Sequence, residues 1–140
     1  MATQNEYTGA WIIDLYQTGG SGTVRAATKD FDTAAAVSAL GANYLGICLS
    51  PEDLVVAKEV SNGLAMHATI AGVRFASRRT INAAVTTHID SSLNWFDVPV
   101  RIRHYDWVSG TLTTEFNGVI VDVEFRNRMA IFTFASQALS

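Results

Sequence analysis

Toward the C-terminus, apolar and polar residues alternate with a period of two. Val98, Val100 and Ile102 alternate with Pro99, Arg101 and Arg103, and Val119, Val121 and Val123 alternate with Ile120, Asp122 and Glu124. This is the signature of half-buried strands. A third stretch, Met129-Ala-Ile-Phe-Thr-Phe134, is apolar on both faces. Ser109-Gly110 and Arg126-Asn127-Arg128 break the pattern with turn residues, so the segment predicts three adjoining strands in an antiparallel meander.

Upstream, Ala10-Trp-Ile-Ile-Asp-Leu-Tyr16 reads as a strand. Thr18-Gly-Gly-Ser-Gly22 forms a hairpin tip, and Thr23–Thr28 returns as the second arm. A phosphate cradle is the alternative for that glycine-serine loop, but no Lys-Ser/Thr pair follows it. Phe31–Leu40 is alanine-rich and reads as a connection with some helical turn, capped by Asp32-Thr33. Asn43–Leu49 predicts a strand closed by Ser50-Pro51, Leu54–Val60 is ambiguous, and Leu64–Ile70 predicts another strand after the turn Ser61-Asn62-Gly63. Between Ser77 and Leu93 the spacing of Ile81, Ala84, Val85, His88 and Ile89 predicts one short helix with Thr80 as N-cap. Strands, one helix and a closing meander imply a mainly β fold, an antiparallel β-sandwich or small barrel with one short α-helix. The polar residues 1–8 form an arm ahead of a single domain spanning 9–140.

The length of 140 residues suits one core, burying roughly two-thirds of the unfolded surface. Charged residues are only 16% of the chain against 49% hydrophobic. Against the ~25% charge of ordinary soluble domains, this points to surface covered by another subunit. A net charge of −3 argues against general nucleic-acid binding. No apolar run reaches the ~18 residues of a membrane span, and no secretory signal is recognisable. The one cysteine, Cys48, lies in an apolar run and reads as a buried small hydrophobe.

Candidate chemistry is sparse. His67, His88 and His104 stand on separate predicted elements without a second ligand at metal-binding spacing, so no metal or cofactor is expected. His104 and Asp106 share a strand face, but no nucleophile stands beside them. Asp122 and Glu124 have a spacing a glycosidase pair could use. Read structurally, they form a cross-strand charge ladder with Arg101 and Arg103. Arg78-Arg79 reads as a solvated helix entrance rather than an anion contact. Phe132 and Phe134, on a strand apolar on both sides, favour an interface; with Arg101, Arg103, Asp122 and Glu124 they make up the expected subunit contact.

The run Asp90-Ser-Ser-Leu-Asn-Trp-Phe-Asp-Val-Pro-Val-Arg-Ile-Arg-His-Tyr-Asp-Trp107, then Gly118-Val-Ile-Val-Asp-Val-Glu124 and Ile131-Phe-Thr-Phe134, resembles the hub domains at the tail tip of bacteriophages and gene transfer agents. Leu64-Ala-Met-His-Ala-Thr-Ile-Ala-Gly72 is similar to the strand preceding the helix in that family, so the resemblance covers about residues 43–136. It implies a structural, non-enzymatic subunit of a ring joining the tail tube to the receptor-binding apparatus. Its partners would be copies of itself and other tail proteins, with DNA only as passing cargo and no membrane insertion. Its place would be the virion tail, assembled in the host cytoplasm. Related hubs often continue into long C-terminal regions; because this chain stops at Ser140, a stand-alone ring or adaptor subunit is expected. The rival readings are a carbohydrate-binding module using Trp95 and Trp107, and a small hydrolase built on His104, Asp106, Asp122 or Glu124.

Overall fold

The computed structural model describes residues 9–20, 22–54, 69–81, 83 and 85–136. The expected N-terminal arm, the stretch after Leu54 and most of the strand expected from Leu64 lie outside those residues.

Among the described residues eight strands and one α-helix follow in order: β1 (Gly9–Leu15), β2 (Val24–Ala27), α1 (Ala34–Leu40), β3 (Thr69–Ala76), β4 (Arg78–Ile81), β5 (Val85–His88), β6 (Pro99–Asp106), β7 (Thr111–Arg126) and β8 (Met129–Ser136), with a 3-10 turn at Pro51–Leu54. Six of them form one antiparallel sheet in the order β2-β1-β6-β7-β8-β3, and β4 and β5 pair separately. The expected β1–β2 hairpin and C-terminal meander are both present. The second meander turn is a two-residue loop, Asn127-Arg128, with φ of 51° and 61°. Positive φ at both positions is what a type I′ hairpin requires.

The large sheet curls until its two outer strands are joined by one irregular segment. On one side the Ala27 amide donates to Leu45 O and the Cys48 amide to Ala27 O. On the other the Leu49 amide donates to Arg74 O and the Ala76 amide to Ile47 O. Residues 45–49 therefore bond to both β2 and β3 and close the curl as a small barrel. The strand expected over Asn43–Leu49 is present only as isolated bridges, because the segment leaves one outer strand and crosses to the other within five residues.

Inside the barrel lie Ile13, Leu15, Ile47, Phe75, Val100, Ile102, Phe116, Ile120, Phe132 and Phe134, with Trp95 at one end. A smaller cluster, Ala10, Ile12, Ala27, Phe31, Leu40, Tyr44 and Tyr105, packs on the outer face beneath α1. β1 is thus covered on both sides, which accounts for the apolar run Ala10–Ile13.

β7 serves two neighbours by bending. Ile102 and Arg103 oppose Phe116 and Thr114, leaving Glu115 as an extra residue, and Ile120 and Asp122 oppose Phe134 and Thr133, leaving Val121. Each bulge switches which side chains point inward. Phe116 and Ile120 face the core before the second bulge, and Val123 and Phe125 after it. The alternation expected over Val119, Val121 and Val123 is corrected accordingly: Val121 is 43% exposed.

The helix is also relocated. It spans Ala34–Leu40, with Thr33 as N-cap accepting from the Ala36 amide and Gly41 (φ 88°) closing it. The segment expected to be helical, Ser77–Leu93, instead supplies β4 and β5. Its β-branched residues Thr80, Ile81, Val85, Thr86 and Thr87 favour a pleated backbone, and the Thr80 and Thr86 hydroxyls bond across the pair at 2.8 Å.

Candidate functional site

Arg101 and Arg103 do not meet Asp122 and Glu124. In register Arg101 opposes Asn117 and Arg103 opposes Thr114, while Asp122 and Glu124 lie beyond the end of β6 and face Thr133 and Ile131. The expected charge ladder is absent because β6 stops pairing at Val119. Both arginines turn instead to β1. Asp14, 2% exposed, accepts from Arg101 Nε and Nη2 at 3.2 and 3.0 Å and from Arg103 Nη2 at 3.2 Å through Oδ2. Its Oδ1 accepts from Tyr44 Oη at 2.6 Å, and Arg103 Nη2 also donates to Tyr44 Oη at 2.8 Å.

This four-residue polar knot ties β1, β6 and the segment after α1 together on the outer face of the sheet. Burial, reinforced by donation to Asp14, pushes the Tyr44 hydroxyl up to about 12 against the opposing Arg103 charge. Arg103 Nε has no hydrogen-bond partner. An acid-base role for the knot is unsupported, since its carboxylate is covered by three donor side chains.

Asp122 Oδ1 accepts from the Val123 amide, and Glu124 pairs with Arg126 at 3.3 Å in an exposed position. Asp106 is engaged by backbone amides. Its carboxylate accepts from the Val108 and Ser109 amides at 3.0 and 3.3 Å and so shapes the β6–β7 turn. The His104 ring packs edge-on against Trp11 at 5.0 Å. Among the described residues no group of histidine, cysteine or carboxylate side chains could hold a metal ion.

Phe132 and Phe134 are fully buried inside the barrel, and Phe132 packs against Phe75, Trp95 and Phe125. They have no surface to offer a neighbouring subunit, and their assignment to an interface is corrected. Closure of the sheet covers one face of β8, while Met129, Ile131 and Thr133 on its other face are half-buried. Trp95 is likewise interior, its Nε1 donating to Asp90 O at 2.8 Å. It cannot stack on a sugar. Trp107 lies under the Lys29 ammonium, 4.4 Å from its ring centre. Cys48 is buried, as its apolar neighbours imply.

The exposed large apolar side chains lie elsewhere: among the described residues they are Leu49 (47%), Phe96 (51%), Val108 (73%) and Val121 (43%), and of these Phe96 and Val121 come from segments that are joined to one another. The Asp97 amide donates to Ile120 O at 2.8 Å, so the two side chains stand on neighbouring segments at the second β7 bulge. The sequence marked Val121 as a strand residue without showing that a bulge turns it outward.

A second ion pair fastens the small β4–β5 sheet. Arg79 donates through Nε and Nη2 to Asp30, whose Oδ1 also accepts from the Gly46 amide at 2.7 Å. The Arg79 guanidinium, with help from that amide, holds the Asp30 carboxyl below its usual range against a smaller opposing effect of burial.

Compared with known proteins, the chain matches no family model, no curated protein and no solved structure.

Proposed function

We propose that this protein is a structural subunit that works through protein–protein contacts, in a ring at the distal end of a phage tail. The observation that carries the contact role is the exposed Phe96–Val121 pair. Two large apolar side chains on adjoining segments, in a chain with only 16% charged residues, are what a subunit leaves uncovered where a neighbour seats. The placement in a tail rests on the sequence resemblance to tail-tip hub domains, and the resembling runs fall on the contiguous strands β6, β7 and β8.

In a cyclic ring of three or more copies one patch on each copy meets a different patch on the next, and the ring closes without an open end when the rotation between copies divides a full turn. DNA would pass as cargo through the lumen, where a subunit of net charge −3 grips phosphates weakly.

Light scattering after size exclusion, with negative-stain images, tests the reading. A discrete multimer with a central hole is expected, and Phe96→Ser with Val121→Ser should reduce it to monomers that keep their circular dichroism. A monomer at the highest concentration reachable would overturn it.

A further inference from the structure

We infer that a polar cavity between β2 and the β4–β5 sheet binds a phosphate ester carried on a hydroxyl-bearing body such as a sugar. The cavity encloses about 580 Å³, within the range of sites that hold small molecules. Arg25 lines it from β2, Arg78 from β4 and His88 from β5, and no carboxylate is among its described lining residues. Arg78 and His88 are register partners, so their side chains leave the same face of the small sheet. In a chain of net charge −3, three basic side chains lining one cavity with no carboxylate among its described lining residues is a local inversion of the overall charge.

The carboxylates in the neighbourhood are already engaged. Asp14, the register partner of Arg25, is held by Arg101, Arg103 and Tyr44. Asp30 is bound by Arg79, and Asp90 accepts from the Ser92 amide and hydroxyl. Among the described residues neither Arg25 nor Arg78 has an ion-pair partner. Two exposed guanidiniums held on separate strands around one concavity suit the charge-assisted, fork-like recognition of a phosphate group.

The rest of the lining sets the body of the ligand. Thr23, Asn43 and Thr86 place two hydroxyls and an amide around the basic groups. That wall complements sugar hydroxyls, and its described residues offer no aromatic face for a base to stack on. Neither Phe96 nor Val121 lines the cavity, so its test is separate from that of ring assembly.

The test is calorimetric titration at low salt with glucose 6-phosphate, inorganic phosphate and glucose, paired with amide NMR shifts. Glucose 6-phosphate is expected to bind with shifts at Thr23, Arg25 and Thr86, inorganic phosphate more weakly, and glucose not at all. The double variant Arg25→Gln with Arg78→Gln should weaken binding at least about tenfold, as loss of charge-assisted contacts implies. Both arginines are exposed, and an unchanged thermal midpoint would confirm that the variant is folded. Absence of heat and of shifts with all three probes, glucose binding as tightly as its phosphate, or unchanged affinity in the folded double variant would each overturn the assignment.

Discussion

Replacing Asp14 with asparagine tests the polar knot directly. The substitution keeps the shape but removes the charge that Arg101 and Arg103 share, and it can present an NH₂ to groups that are themselves donors. The two arginines respond differently, since the Arg101 side chain is 36% exposed and that of Arg103 only 10%. Arg101 can turn to water, so its share of the loss is that of a surface pair, about 0–1 kcal/mol. Arg103 cannot, and its Nε already lacks a partner. Removing one member of a buried ion pair costs about 3–5 kcal/mol, a large part of the ~5–15 kcal/mol that holds a domain folded. Urea unfolding followed by circular dichroism should therefore show a loss of about 3–5 kcal/mol for Asp14→Asn and about 1 kcal/mol for Arg101→Gln. Asp14→Leu combined with Arg103→Met, which removes both buried charges, should recover most of the loss. A cost below about 1 kcal/mol for Asp14→Asn, or a double variant as unstable as the two single losses added, would refute the reasoning.

Four further outcomes are expected. With the Tyr44 pKa raised from 10.0 to about 12, the hydroxyl stabilises the fold fully below pH 10 and loses that contribution as pH rises through 12; ultraviolet phenolate titration should lose its highest-pH step in Tyr44→Phe. The lowered Asp30 pKa acts in the opposite sense, its contribution being present above pH 3.8 and lost as pH falls below it; Asp30→Asn should flatten the acid limb of a thermal-midpoint profile, with a size near that of a surface pair, about 0–1 kcal/mol. A Cβ at Gly118 would strike the Ala135 carbonyl and the Phe116 ring, so Gly118→Ala should destabilise by about 1–3 kcal/mol in chemical denaturation. Arg128 holds φ 61° in the β7–β8 turn, a conformation glycine adopts without strain, and Arg128→Gly should raise stability by about 1 kcal/mol.

Local pattern carried the meander because β6, β7 and β8 are sequence neighbours whose turns are written in Ser109-Gly110 and Asn127-Arg128. The β1–β2 hairpin was legible for the same reason. What local pattern could not carry was any partner chosen over a distance. Arg101 sits between two strands, and whether it reaches Asp14 or Asp122 depends on strand order and on where β6 ends. Both bulges in β7 were invisible, since nothing in Glu115 or Val121 announces an extra residue, yet they decide which valine is core and which is surface. Residues 77–93 satisfied a helical spacing, but the β-branched content of Thr80 to Thr87 prevailed once Asp30 offered Arg79 an anchor. The cavity followed from that change of element, because on β4 Arg78 is the register partner of His88 and lines the same cavity as Arg25. Gly118, which opens the Gly118–Glu124 run of the resemblance, has a plain steric meaning, namely close approach of two backbones.

The bridge formed by residues 45–49 also bears on solubility. Outer strands with unsatisfied amides and carbonyls are templates on which further chains stack into fibrils. Here the two margins of the sheet are stitched to a common seam that begins only four residues after the C-cap of α1. A protease nick within that seam would turn a sealed cylinder into a ribbon with two sticky borders, and the protein's resistance to precipitation would fall with it.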